Sequence, residues 1–267
     1  METFQRRTFL IGCVTVASGA AGCVWPGTLT SARTSEELDV PSGTAVVVEN
    51  RNGDVLVEGG QTAILEIEKS TRYGSELLEK VNVEASADGD RFRIETIDRT
   101  PPNQSVSVDV TLSVPDGVSV ERVETTNGDV TARDVSGDAT LRGTNGDVLA
   151  DGVEGYVTVR SGNGDVRTRG VTGLDGARTR NGDVDVEVPA IRGDATAEST
   201  NGDVSVAIAP GIDAVVDLRT VNGTVGYSGL DLELSVDRPA RLRGTLGDGG
   251  NELAAASTNG DVRLRAL

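Results

Sequence analysis

Residues 127–144 read NGDVTARDVSGDATLRGT, and residues 145–162 read NGDVLADGVEGYVTVRSG. Both stretches open on the same four residues, and that opening recurs along the chain. Asn-Gly-Asp-Val begins at Asn52, Asn127, Asn145, Asn163, Asn181, Asn201 and Asn259, with the variant Asn222-Gly223-Thr224-Val225. From Asn127 to Asn181 each step is 18 residues, and the next two are 20 and 21. A half-repeat lies between them, because Gly137, Gly155 and Gly173 each follow Gly128, Gly146 and Gly164 by nine residues. Self-similarity at a fixed period is the mark of a stacked repeat and takes precedence over local propensity.

Within each unit the apolar residues alternate. Val130 and Ala132 share one strand face, as do Ala139 and Leu141, and Val148, Ala150, Val157 and Val159 repeat the pattern. Period-two alternation interrupted by glycine turns every nine residues means strand, turn, strand, turn. A helix would need a period near 3.6 and would not tolerate this glycine density. Two architectures fit. Nine-residue units could form antiparallel hairpins in a meandering sandwich, with Asn-Gly as the two-residue turn. Alternatively, 18 residues could form one coil of a parallel β-solenoid, stacking identical positions about 4.8 Å apart. The solenoid accounts for more, since in-register stacking gives a reason for the same residue to recur at the same place. A narrow two-layer core also has room for Val, Ala and Leu but little for aromatic residues, which make up 3% of the chain. The expected fold is all-β, a parallel, β-helix-like solenoid with coils of about 18 residues.

Away from the regular section the pattern loosens. Strands are expected at Ala45–Val48, Val55–Val57, Ala63–Ile67, Val81–Ala85, Phe92–Thr96 and Val106–Val114, with a short helix around Ser75–Lys80. Asn52-Gly53-Asp54-Val55 marks this half as the same architecture carrying long insertions, so residues 41–267 form one domain. After Val225 an irregular late coil is expected, closed by a final strand after Asn259.

The amino terminus reads as an address rather than as structure. Arg6 and Arg7 precede an apolar run from Phe9 to Ala21, which resembles a twin-arginine export signal over residues 1–22. The run is shorter than the roughly 20 residues a spanning helix needs. It ends in Ala20-Ala21-Gly22-Cys23, which resembles a lipobox and implies cleavage before Cys23 and lipidation of that cysteine. Residues 23–40 would then be the lipidated end and a polar tether, with the domain at the cell surface, anchored to the outer face of the cytoplasmic membrane.

Composition narrows the chemistry. Asp and Glu number 42 against 25 Lys and Arg, a net charge of −17, and histidine is absent. Without histidine there is no Ser-His-Asp or Cys-His site and no imidazole metal ligand. The negative charge argues against a nucleic acid partner. Lys69 and Lys80 are the only lysines, and abundant Asp with small aliphatics resembles the composition of proteins from salt-loving archaea. At molar salt a Debye length of about 3 Å screens the repulsion within such a surface.

The succession Val110-Thr111-Leu112-Ser113-Val114-Pro115-Asp116-Gly117, then Thr126-Asn127-Gly128-Asp129-Val130, then repeated Asn-Gly-Asp-Val coils, resembles a family of adhesin-candidate β-solenoid domains of unknown function. The resemblance runs from about Pro41 to Leu267 and implies a cell-surface β-solenoid domain; joined to the export signal and lipobox, it makes the expected protein a non-catalytic cell-surface lipoprotein with a surface glycan or envelope protein as partner. It carries no catalytic, cofactor or metal residues.

Several constellations have two readings. Asp129, Asp147, Asp165, Asp183 and Asp203 would stack on one corner, either as turn-forming side chains or, with carbonyls from Asn127, Asn145 and Asn163, as a cation site. Asp134, Asp151 and Glu154 are the carboxylates that a carbohydrate-active acidic β-helix could use. Arg192-Gly193-Asp194 looks like an integrin-type tripeptide but falls where Ser136-Gly137-Asp138 falls in the half-repeat. Arg160, Arg167, Arg169, Arg178 and Arg180 form a basic exception, read either as an ion-paired face or as a site for glycan carboxylates. Asn103 and Asn222 head glycosylation sequons, Asn103 being the candidate in a polar loop.

Overall fold

The computed structural model describes residues 29–267 together with a two-residue strand, Thr8–Phe9. Arg6, Arg7 and Cys23 lie outside the described residues. The described residues are all-β, built from a 13-stranded and an 11-stranded sheet. Each coil of the regular section gives one strand to each. Ser119–Asn127, Thr140–Asn145, Tyr156–Arg160, Gly173–Asn181 and Ala195–Asn201 run parallel in the larger sheet, with one register shift between Val157 and Thr158. Val130–Arg133, Val148–Asp151, Val166–Arg169, Val184–Val188 and Val204–Ile208 run parallel in the smaller one. Val130 opposes Val148, Val148 opposes Val166, and Val166 opposes Val184, so the repeats are stacked in register and the meandering sandwich is ruled out for this section.

The core is the narrow seam between the sheets. Val130, Ala132, Val148, Ala150 and Val166 meet Leu141, Val157 and Val159 across it, and all are fully excluded from solvent. Each buried Val or Leu contributes roughly 1.5–3 kcal/mol relative to exposure. The partners on alternate positions point outward, which is why the sequence alternates.

Both ends depart from a purely parallel solenoid. At the amino-terminal end, the coil formed by Ala45–Glu49 and Val55–Gly60 packs directly on the coil of Asn127. Its other side is covered by Arg91–Asp98 and Ser107–Pro115, which are later in sequence. Beyond them the strands turn antiparallel, with Val81–Asp88 on Arg91–Asp98 and Ile64–Thr71 on Ser107–Pro115. The expected helix is a 3-10 helix at Ser75–Lys80 that buries Leu77.

The carboxyl-terminal end is threaded. Asn251–Asn259 lies between Ala195–Asn201 and Ala214–Asn222, parallel to both. Val262–Ala266 likewise separates Val204–Ile208 from Val225–Ser228. The last repeat in sequence is therefore the penultimate coil in space. Arg241–Leu246 and Leu232–Arg238 then close the larger sheet as an antiparallel hairpin. These corrections to the parallel expectation share a cause. A solenoid end presents an unpaired strand edge, and antiparallel strands carrying charged side chains discourage another chain from adding there.

The polar tether differs from expectation as well. Thr30–Glu37 is an edge strand, antiparallel to Ile64–Thr71 along its whole length. Its side chains alternate between half-buried and exposed, with Thr30, Ala32 and Thr34 on the inner face. Backbone pairing, rather than apolar burial, fixes it.

Candidate functional site

The Asn-Gly-Asp corner is held by three parallel columns of hydrogen bonds. In the first, each Asn side chain donates to the Asn of the coil before it. Asn127 donates to Asn52 at 2.7 Å, Asn145 to Asn127 at 2.8 Å, Asn163 to Asn145 at 2.8 Å, and Asn181 to Asn163 at 2.6 Å. The series continues through Asn201 and Asn259 to Asn222, in spatial order rather than sequence order. In the second, a backbone N–H donates to the carboxylate Oδ1 one coil away: Asp147 to Asp129 at 2.8 Å, Asp165 to Asp147 at 2.8 Å, and Asp183 to Asp165 at 2.9 Å. Thr224, at the variant unit, donates to Asp261 from both its N–H and its hydroxyl. These bonds hold the Asp261 carboxyl below the usual carboxylate range, with the Arg263 guanidinium adding to the effect.

The glycine between them is required by close approach. Gly164 has φ +145°, and a Cβ there would stand 2.1 Å from the Gly146 carbonyl oxygen. Gly146 and Gly182 face the same obstruction from their own neighbouring coils.

The third column draws on residues outside the four-residue motif. Two positions before each Asn a buried hydroxyl donates to the glycine carbonyl of the neighbouring coil. Ser161 reaches Gly146, Thr179 reaches Gly164, Ser199 reaches Gly182 and Ser257 reaches Gly202, all at 2.8 Å. The repeat is thus Ser/Thr-x-Asn-Gly-Asp-Val, broken only at Asn50, which bonds Gly53 and Val108 through its amide, and at Gly143. The signal is present in the sequence as a recurring hydroxyl inside an otherwise apolar stripe.

The Asp ladder is therefore a structural corner in which one oxygen of each carboxylate is committed to backbone. At several rungs the other oxygen meets arginine: Arg167 bridges Asp147 and Asp165, and Arg263 bridges Asp203 and Asp261. Among the described residues, no group of three or more acidic or cysteine side chains is arranged to hold a metal ion.

The other constellations are redistributed by the coil geometry. Asp134 follows the strand Val130–Arg133 with φ +51°, Asp151 lies 3.8 Å from Arg133, and Glu154 pairs in the half-repeat opposite Ser136. Arg192 is stapled rather than displayed. Its guanidinium lies 4.4 Å over the Tyr156 ring, donates to Asp175 at 3.0 Å through Nε, and also bonds Asp138. That contact, with the Tyr156 N–H, holds the Asp138 carboxyl below its ordinary range. Asp194 accepts the Glu252 N–H, so the tripeptide serves the half-repeat corner. Asn103 sits exposed in the loop before Ser107 with φ +67°.

The five arginines do not form one cluster. Arg167 and Arg169 lie in the smaller sheet and pair with aspartates, Arg169 with Asp185 at 3.8 Å. Arg160, Arg178 and Arg180 belong to the larger sheet's side, where Arg142, absent from the sequence cluster, stands in register with Arg160 and Arg178. Arg142, Arg160 and Arg180 line a shallow depression of about 460 Å³ together with Glu124, Thr126 and Thr144.

A two-sheet β-solenoid with laddered corners is the class this architecture defines. The chain belongs to the Toastrack DUF4097 family, whose model matches residues 25–265. No curated protein matches it. Among solved structures it is similar to an adhesin candidate from Bacteroides fragilis, at 12% identity and TM-score 0.47, covering 88% of this chain and 97% of that one. It is also similar to a cell adhesion protein candidate from Clostridium sporogenes, at 10% identity and TM-score 0.40, covering 89% of this chain and 100% of that one. A lipid-binding protein candidate from Parabacteroides distasonis follows at 11% identity and TM-score 0.36, covering 87% and 96%.

Proposed function

We propose that this protein is a non-catalytic cell-surface module that presents a rigid solenoid for adhesion or envelope contact. It is exported through the twin-arginine signal of residues 1–22 and held on the outer face of the cytoplasmic membrane by lipid on Cys23. The observation that carries this reading is the layout of the chain. The family domain begins at residue 25, so nearly everything after Cys23 belongs to one solenoid. The first strand of the solenoid body starts at Thr30, and the intervening residues span roughly 25 Å at most when extended. A domain so tied would ride close to the membrane rather than extend from it.

Replacing Cys23 with Ala tests this. The expected result is release of the protein into the medium or accumulation of an unprocessed precursor, read by mass spectrometry and membrane fractionation. An unchanged mass and membrane fraction would overturn the anchoring. A second reading, a glycan-binding solenoid, is favoured by one feature: exposed arginines, Arg160 and Arg180, that have no acidic partner among the described residues of a chain rich in acid.

A further inference from the structure

On the outward face of the larger sheet, Glu49, Glu124, Arg142, Arg160, Arg178 and Glu198 stand in one row across successive coils. The row pairs at its ends: Arg142 lies 3.5 Å from Glu124, and Arg178 lies 2.9 Å from Glu198. Arg160 stands between two arginines, and among the described residues it has no acidic partner. Arg180, two positions along the strand from Arg178, has none either and is exposed. Like charges directly opposed destabilise a sheet. Stability alone would select an acidic residue at one of these places, and the chain has 42 of them against 25 basic ones. Gly162, beside Arg180, contributes no side chain, and the depression opens there with Thr126 and Thr144 at its rim.

We propose that this face binds an acidic glycan, a carboxylate-bearing sugar polymer running obliquely across successive coils, with Arg160 and Arg180 taking the carboxylates. The proposal rests on the reading of the chain as a surface module and names its ligand class. Three features select this chemistry. The guanidinium fork matches a carboxylate in bidentate fashion and holds it with charge-assisted hydrogen bonds. Arg160 and Arg180 stand one coil and two strand positions apart, about 8 Å between backbones, close to the rise of two residues in an extended sugar chain, so the pair would take alternate acidic sugars. The Thr126 and Thr144 hydroxyls are exposed and can both donate to and accept from sugar hydroxyls. Single-stranded nucleic acid fits poorly, because the depression has no aromatic side chain for a base to stack on and the molecule carries −17 charge.

The test is titration of the full chain in detergent with polygalacturonate, dextran sulfate, neutral dextran and single-stranded DNA. Polygalacturonate should bind, and the double variant Arg160→Ala, Arg180→Ala should lose at least tenfold in affinity. Arg160→Lys should fall between, since it keeps the charge but not the fork. Arg167→Ala, on the opposite sheet, should bind like the parent. Both arginines are exposed, so circular dichroism should show the variants folded as the parent is. Equal binding by parent and double variant, no binding to polygalacturonate, or tighter binding to dextran sulfate or DNA would each overturn the proposal. The outcome is separable from the anchoring test. A membrane-bound chain that ignores polygalacturonate sinks only the ligand, and arginine-dependent binding with an unaltered Cys23→Ala fraction sinks only the anchoring.

Discussion

Thr179 shows how a single side chain ties one coil to the next. Its hydroxyl is buried and donates to the Gly164 carbonyl at 2.8 Å. Thr179→Val keeps the shape and removes the donor, and should cost about 1–2 kcal/mol in denaturant unfolding. Gly143 occupies the same position with neither this hydroxyl nor the amide that replaces it at Asn50, and Gly143→Ser should raise the melting temperature, by the worth of one hydrogen bond, about 1 kcal/mol. The Val148 methyl, 3.2 Å from the added Cβ, must shift slightly for it to fit. Two glycines make a sharper contrast. Gly164→Ala drives a Cβ into a neighbouring carbonyl at positive φ and should cost roughly 3 kcal/mol or more, whereas Gly193→Ala meets nothing within 4 Å and should be neutral or slightly stabilising. Arg192 governs an acid dependence. Asp138 has a depressed pKa, so its contribution to stability is present above the ordinary carboxylate value and is lost as pH falls through the lowered one. Arg192→Ala should therefore destabilise the protein at neutral pH, and the gap between variant and parent should close as the medium is acidified into that range.

Strand positions can be read from the sequence because alternation and glycine turns are local signals. The strands expected at Ala45–Val48 and Phe92–Thr96 are found at Ala45–Glu49 and Arg91–Asp98. Their order in space cannot be read, because every unit offers the same Asn-Gly-Asp-Val edge and any two would stack. What selects the arrangement is the hairpin of Leu232–Arg238 and Arg241–Leu246, which closes the stack and sends the chain back to insert Asn251–Asn259. The arginines group differently in space for a related reason. Residues 160 and 167 are close in sequence, but the two strands of one coil belong to opposite sheets. Thr30–Glu37 carries no apolar signal of a strand, because its inner face is Thr and Ala rather than Val. Threading has a testable result. Removing residues 251–267 deletes an interior layer rather than an end, and should abolish the cooperative transition and open the remaining coils to protease.

The whole molecule is a one-dimensional stack in which each coil touches only its neighbours, an arrangement whose stability is a sum over interfaces. Interleaving at both ends binds that sum together, since neither terminal coil can peel away without disturbing strands distant in sequence. The Asn-Gly corners also bear on how the protein ages. An Asn-Gly pair is the dipeptide most prone to deamidation, in which the glycine nitrogen attacks the side-chain amide. Here Gly128, Gly146, Gly164 and Gly182 each commit that N–H to the Asn carbonyl of the adjoining coil, while the amides are held in their own ladder. Gly260 is held in the same way by Asn222, whose own coil is the last in the smaller sheet, and among the described residues no further corner holds Gly223. Peptide mapping of the folded protein after prolonged warming should find aspartate and isoaspartate first at Asn222, while the interior corners keep their amides for as long as the stack persists. The fold is thus also a chemical preservative for the sequence that builds it.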